Sequence, residues 1–292
     1  MRIRVAGFSS VCDGVIDRCS RCDSESLWEL SKGRIECSEC GSQTSVTAGT
    51  PLHGRRKPLR MWFRAVWEMT THKGGISANG LQRIMGFGSY ETAWSWLHKL
   101  RRYAFTRERT PLSGSVQLDD GYVGGVDDRP GRPKGNKELV FVAAERHGRV
   151  RLEHSPNLTI VAVKSFVERN LSPGSMVTTD GCRSFSEKSL GSRQHLQHVQ
   201  KNKRHFTDDP LQQAHFALSL FKRCWIGAYH GAISYKYLQA YLDEFEFPHN
   251  CRNTIGVGRI AARLFQSLVG FAPLAVRSMV SSTAPCCRFE IA

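Results

Sequence analysis

The sequence predicts a multi-domain chain of mixed α+β or α/β class: a small cysteine-rich module, a helical segment, and then a strand-rich unit with interspersed helices. Three observations predict it. Four cysteines near the N-terminus fall as two CxxC pairs, apolar residues over about 59–100 recur at helical spacing, and from about residue 113 short apolar runs alternate with helix-like stretches. The boundaries that follow are 1–48, 49–108 and 109–255, with a C-terminal tail, 256–292, whose structure the sequence leaves open.

A chain of 292 residues with 40% apolar side chains can bury at least one sizeable core. Its 41 Lys and Arg against 26 Asp and Glu give a net charge of +15, which points to a polyanionic partner, because each neutralised phosphate releases condensed counterions. Nucleic acid is therefore the expected partner. No apolar run approaches the roughly 18 to 20 residues that span a bilayer. The opening MRIRVAGFSSVCDG lacks the sustained apolar segment of an export signal, so the cytoplasm is the expected compartment.

The segment CSRCDSESLWELSKGRIECSEC places Cys19 and Cys22, then 14 residues, then Cys37 and Cys40. This is the spacing of a zinc ribbon. Each CxxC turn presents two thiolates at the tip of a hairpin, and four sulfurs satisfy a tetrahedral structural zinc with no position left for substrate. LWEL and RIEC supply the strands. The module's expected role is structural and DNA-facing; the alternative is four unligated cysteines. Of the ten cysteines, Cys12, Cys182, Cys224 and Cys251 read as ordinary thiols, and Cys286 and Cys287 lie in the patternless tail.

After the linker SVTAGTPLHGRRKP, the run LRMWFRAVWEMTT sets Trp62, Ala65, Val66 and Met69 on one helical face, the natural core side of an amphipathic helix. The stretch GGISANGLQRIMGFGSYETAWSWLHKLRRY then reads as helix, turn, helix, with Leu81 and Ile84 on the first element, Gly86 to Gly88 as the turn, and Thr92 to Leu100 on the second. Such a pair, flanked by the basic run HKLRR, is expected to face DNA, although a charge run is also the ordinary composition of a solvated surface.

The third unit opens with the strands VQLDDGYVGG, ELVFVAAERHG and RVRLEHS, the last two pairing about His147 and Gly148. A helix over AVKSFVERN, a strand SMVTTD, the segment GCRSFSEKSL, a strand around HLQHV and a helix through QQAHFALSLFKRCW follow. Basic loops RPGRPKGNK and QKNKRH are expected along a DNA backbone.

Phosphodiester chemistry is commonly served by two divalent cations about 4 Å apart, held by carboxylates. Asp119 ends the apolar run from Val116 to Leu118 and Asp180 ends Met176 to Thr179, so a sheet that pairs those strands brings the two carboxylates together. The alternative is that each aspartate only begins a turn.

The run from Ser45 to Arg101, the block QLDDGYVGG, the segment SPGSMVTTDGCRSF and the ending LFKRCWIGAYHGAISYKYLQAYLDEFEFPHN together resemble the zinc-ribbon insertion-sequence transposases with an ISXO-type DDE core, over about residues 19–255. The resemblance implies a ribonuclease H-like mixed sheet with flanking helices, and DNA strand cleavage and joining at transposon ends by a bacterial protein that assembles as a homo-oligomer on double-stranded DNA. It places the first catalytic aspartate at Asp119, followed by Asp120, Tyr122, Gly124 and Gly125, and the second at Asp180. Aligning on Phe221, Lys222 and Arg223 puts the third ligand position at His215, where the family commonly has an acid. An imidazole suits Mn²⁺ better than Mg²⁺. Asp208 or Asp209, just upstream, is the rival third ligand. Lys222 follows His215 by seven residues, two helical turns, and is expected to contact phosphate. Taken apart from the family, His215 reads as a packed helix histidine and Lys222 as a solvated lysine. Two other functions compete: a catalytically inactive remnant that only binds DNA, motivated by His215, and a zinc-ribbon transcription factor, which leaves the strand-end aspartates unexplained.

Overall fold

The computed structural model describes residues 3–4, 18–30, 34–45, 47–54, 57–104, 110–124, 137–146, 148–199, 209–230 and 233–269. Short strands β1 (Ile3–Arg4), β2 (Leu27–Leu30), β3 (Arg34–Cys37) and β4 (Gln43–Ser45) form an antiparallel sheet in that order. Leu27 and Ile35 bury with Cys19 and Cys37, a core too small to hold the module by apolar area alone.

Three helices follow, α1 (Leu59–Thr71), α2 (Ala78–Met85) and α3 (Tyr90–Ala104). The face of α1 read from periodicity is the buried one: Trp62, Ala65, Val66 and Met69 pack inward, and Trp62 stacks on Trp96 of α3 with ring centroids 3.7 Å apart. Ser77 caps α2 by accepting from the Gly80 N–H, and the helix stops where Gly86 takes a left-handed φ of 65°.

Two expectations are corrected. The basic run on α3 does not form a solvated or DNA-facing surface: His98, Lys99 and Arg101 are all buried. Arg101 Nε donates to Glu244 Oε2 at 2.7 Å, and its guanidinium lies 4.0 Å from the Tyr241 ring centroid. The second concerns the tail, whose structure the sequence leaves open and which begins as a helix. Residues Val257–Val269 form a helix, here α8, whose Leu264 and Leu268 are fully buried in the α1–α3 core and whose Phe265 stacks on Phe63 at 3.9 Å. The helical unit is therefore closed by a segment more than 150 residues downstream of α3 in sequence. Cys12, Cys286, Cys287, His147, Asp208, the loop 200–205 and all of the loop 129–137 except Lys137 lie outside the described residues.

The third unit is a five-stranded sheet of β5 (Ser115–Val123), β6 (Glu138–Glu145), β7 (Val150–Ser155), β8 (Met176–Thr179) and β9 (Gln194–Gln197), in the order β7-β6-β5-β8-β9. β7, β6 and β5 are antiparallel, and β5, β8 and β9 are parallel. Three antiparallel strands, then a helix and two parallel strands, is the ribonuclease H-like arrangement. β6 is an unbroken apolar run because both of its faces are covered. On one side Val116, Leu118, Phe141 and Val177 pack with Val163, Phe166 and Val167 of α4 (Ile160–Asn170). On the other, Val123, Val140, Val142 and Leu152 pack with α6 (Gln212–Tyr229) and α7 (Leu238–Asn250); a short α5 (Glu187–Leu190) lies between β8 and β9. The α7 side chains also cover the open edge of β7. Gln239 and Glu246 accept from the N–H of His154 and Leu152, and Asn250 accepts from Val150 N–H and donates to its carbonyl, removing a template for strand addition.

Candidate active site

Side chains alternate along β5, so its residues divide between two faces. Val123 buries against α6, and a Cβ on Gly121 would lie 2.1 Å from Leu218 Cδ2, so the glycine is what lets α6 cross β5 closely. Gln117 and Asp119 share this face. Val116 and Leu118 bury against α4, and Asp120 belongs with them. The parallel register sets Val116 level with Val177 and Gln117 with Thr178. Asp180 follows directly on β8, two residues past the last paired position, and its charge acts on Asp120 of β5.

Helix α6 is anchored over these carboxylates at its N-terminus. Gln117 Oε1 accepts from the backbone N–H of Gln213 at 2.7 Å and of Ala214 at 3.2 Å, satisfying donors that the first turn cannot pair internally. That places His215, in the first turn, with Nε2 2.9 Å from Asp119 Oδ2. Its other nitrogen, Nδ1, is 2.5 Å from Asp209 Oδ2, while Asp209 Oδ1 accepts from Leu211 N–H at 2.9 Å. His215 and Asp209, rivals in the sequence reading, are partners: the imidazole bridges two carboxylates. Its pKa is pushed up to about 9, chiefly by the hydrogen bond with Asp119, against a loss from burial that the hydrogen bond with Asp209 helps to outweigh.

Asp180 follows β8 and uses Oδ1 to accept from Cys182 N–H at 2.9 Å. The turn role assigned to it as an alternative is real, and it occupies one oxygen only. Burial first, then the negative charges of Asp119 and Asp180, push the Asp120 carboxyl up to about 6. Asp120 thus feels the charges of both Asp119 and Asp180, and a divalent cation would relieve that accumulation of negative charge. The ligand atoms are not tightly converged: among the described residues, the four cysteines form the one group with all its ligand atoms within 4.8 Å of one another. Lys222 is exposed two turns along α6 from His215, with no ion pair among the described residues. Gln117, Gly121 and the Asp209–His215 bond are absent from the sequence reading; alternation in QLDDG was the signal available for the first two.

In the ribbon, Cys19 and Cys40 sulfurs are 3.5 Å apart, as are those of Cys22 and Cys37. A tetrahedron with Zn–S bonds of about 2.3 Å has sulfurs roughly 3.8 Å apart, so the quartet fits zinc. The N–H groups of Arg21 and Cys22 lower the Cys19 thiol to about 6, while the Cys22 thiol, against the hydrogen bond from Ser24, is pushed up by those with Cys40 and Cys37.

Residues 111–250 match the family model of the ISXO2-like transposase domain. Over those residues the chain is similar to ISXO2-like transposases. They span the sheet, α4, α6 and α7, and so contain Asp119, Asp180 and His215. No curated protein matches the chain. Among solved structures, the catalytic core domain of BIV integrase aligns with 50% of this chain and 87% of its own length at 14% identity and a TM-score of 0.31. Mos1 transposase, in a paired-end complex with left transposon end, aligns with 75% of this chain and 80% of its own at 12% identity and a TM-score of 0.26. The fold assignment of the transposase domain rests on its strand order and its family match. Among the described residues, no helix is long and apolar enough to cross a membrane.

Proposed function

We propose that this chain is a bacterial transposase that binds the ends of its own element in double-stranded DNA and catalyses strand cleavage followed by strand transfer, working on the nucleoid as a homo-oligomer. What supports the reading is the parallel pairing of β5 with β8, which carry Asp119 and lead into Asp180 on neighbouring strands, with His215 Nε2 of α6 2.9 Å from Asp119. Asp119 and Asp180 would hold Mg²⁺ or Mn²⁺, with His215 Nε2 as the third ligand. Such a cation, when bound, activates the attacking oxygen and neutralises charge on the departing one.

The chain's own residues supply the rest. Asp209 holds Nδ1 of the imidazole and so turns Nε2 toward Asp119, the carboxylate support that metal-binding histidines commonly have. Nε2 becomes a ligand only after the imidazolium loses its proton, and an imidazole nitrogen favours Mn²⁺ over Mg²⁺. Gln117 fixes the N-terminus of α6, Lys222 contacts a DNA phosphate from the same side of the helix, and the zinc ribbon, with Cys19, Cys22, Cys37 and Cys40 as ligands of a structural zinc, adds DNA contact.

The test is cleavage and strand transfer on DNA carrying the element's ends, with Mg²⁺ and Mn²⁺ compared. Asp119→Asn and Asp180→Asn should each abolish product while DNA binding survives. Product formation that persists in both variants would overturn the reading. The alternative, a catalytically inactive DNA-binding remnant, has one observation in its favour, the His215 imidazole already paired with Asp119; it predicts DNA binding with no product in either metal, and product appearing in His215→Glu.

A further inference from the structure

The helix pair expected to face DNA does not present its second helix. In a helix-turn-helix that second helix lies in the major groove and reads the bases. Here Ala93 and every residue from Trp96 to Arg101 of α3 are buried. Trp96 stacks on Trp62 of α1, Leu97 and Leu100 pack with Leu264 and Leu268 of α8, and Arg101 pairs with Glu244 of α7. That face of α3 is closed to a groove. The open side of α1 carries Leu59, Phe63 and Trp67 with Arg60 and Arg64, and that of α8 carries Arg259 and Arg263. Cations alone suit phosphates, which carry no sequence.

The open side of α2 is different. Ala78, Leu81 and Met85 take the core side, and Asn79 and Arg83, one turn apart, stand exposed away from it. Neither side chain has a hydrogen bond or ion pair among the described residues. The neighbouring amide is already engaged: Gln82 Nε2 donates to the Phe87 carbonyl at 3.3 Å, where the helix ends. Gly80, beside Arg83 on the helix surface, adds no side chain that would hold the backbone off a groove. Eight residues make α2 roughly 12 Å long, about the width of a major groove. The turn before it is seated on the five-stranded unit, since a Cβ on Gly75 would lie 2.2 Å from Tyr229 Oη at the end of α6.

We propose that α2 is the sequence-reading element of this chain, with Arg83 donating two N–H groups to O6 and N7 of a guanine and Asn79 pairing its amide with N6 and N7 of an adenine. The inference rests on the DNA-processing reading above and adds to it the form of the ligand, an intact duplex met in its major groove, and the residues that select its bases. A phosphate would need only the charge of Arg83. The planar fork of the guanidinium with an amide one turn away is what a pair of base edges needs. One helical turn is about 6 Å, so the two bases lie within about two steps of 3.4 Å.

The experiment selects bound duplexes from a pool with a randomised central segment, using the full, zinc-loaded chain without added Mg²⁺ or Mn²⁺. Affinities are then measured for the selected duplex and its single-base variants. Wild type should enrich a motif with a guanine and an adenine about two positions apart or closer, and replacing either base should weaken binding about tenfold. Arg83→Ala should erase the preference at the guanine alone and Asn79→Ala at the adenine alone, each with an unchanged melting temperature. Arg259→Ala, on α8, should leave the motif as it is. A motif that persists in both α2 variants, a uniform loss of affinity for every duplex in Arg83→Ala, or no motif enriched by wild type overturns the inference and leaves the DNA reading standing. Failure of wild type to bind any duplex removes both the inference and the reading beneath it.

Discussion

The thiol quartet and the carboxylate site proposed here to hold a cation are built in opposite ways. The quartet draws its ligands from two turns within 22 residues, brings all four sulfurs within 4.8 Å of one another, and buries Cys19 and Cys37. The carboxylate site draws on β5, the end of β8 and the first turn of α6, spreads its ligand atoms more widely, and holds an imidazole between two of its carboxylates. A closed, full set stabilises a fold and excludes substrate, whereas an open one leaves room for a phosphodiester but must be held in place from outside. The scaffold that holds it includes Gln117, the close crossing at Gly121, and at the far end of α6 the Tyr229 hydroxyl, which donates to the same Glu244 oxygen that receives Arg101.

The largest effect expected from this contrast is at the closed site. Cys37→Ser should prevent zinc retention and unfold the ribbon, since binding free energies of about 10 kcal/mol or more couple zinc to the folding of such modules. Limited proteolysis should then cut within residues 18–45 while the transposase domain melts as before; a ribbon that stays protected without zinc would break the contrast. Next is the remote support of the open site. Arg101→Met strands a buried carboxylate whose Oε1 already lacks a hydrogen-bond partner, and should cost about 3–5 kcal/mol in denaturant unfolding with zinc content unchanged. A change below about 1 kcal/mol would show that α3 does not support α7 in this way.

A smaller, pH-dependent effect comes from His98, beside Arg101 in the same junction. Burial, helped by the Arg101 charge, depresses its pKa from 6.5 to about 3. Because the folded value is the lower one, its stability contribution is complete above pH 6.5 and is lost as pH falls from there toward 3, roughly 2 kcal/mol at pH 5. His98→Phe, which keeps the ring against Trp94, should flatten the acid side of the stability curve by about one proton between pH 4 and 6. An unchanged slope would contradict the burial of an uncharged imidazole. The smallest effect has the opposite sign. The Asp120 carboxyl is raised above its ordinary value, so the fold loses stability as pH rises from about 4 through 6 and its charge forms. Asp180→Asn removes one source of that repulsion, and its melting temperature should exceed wild type at pH 8 and converge with it near pH 4. A lower melting temperature at pH 8 would mean that Asp180 is structural first.

The same contrast explains what was legible in the sequence. The ribbon is local: its ligand spacing and the strands LWEL and RIEC are contiguous, and the structure keeps both. Asp119 and Asp180 are legible as chemistry because each ends an apolar run, although Asp119 stands in the middle of β5 and only Asp180 follows a strand end; alternation separates Asp119 from Asp120 once the face of α6 is known. The basic run on α3 misleads because its partner, Glu244, is 143 residues away from Arg101, and no local pattern distinguishes a solvated arginine from one that pairs across a junction. Helix α8 was missed for the same reason. Leu264 and Leu268 lie at helical spacing, but the core that they fill is made by α1 and α3. The Asp209–His215 bond depends on the turn that precedes α6, where Asp209 serves the backbone with one oxygen and the ring with the other.

The central claim is that Asp119 and Asp180 make one cation site, and direct titration of Mn²⁺ into zinc-loaded protein at pH 8, followed by electron paramagnetic resonance of the free ion, tests it without requiring the element's DNA. The account predicts saturable Mn²⁺ binding by wild type that weakens by at least about tenfold in both Asp119→Asn and Asp180→Asn, with zinc content the same in all three. Mn²⁺ binding that is equal in wild type and both variants would contradict it.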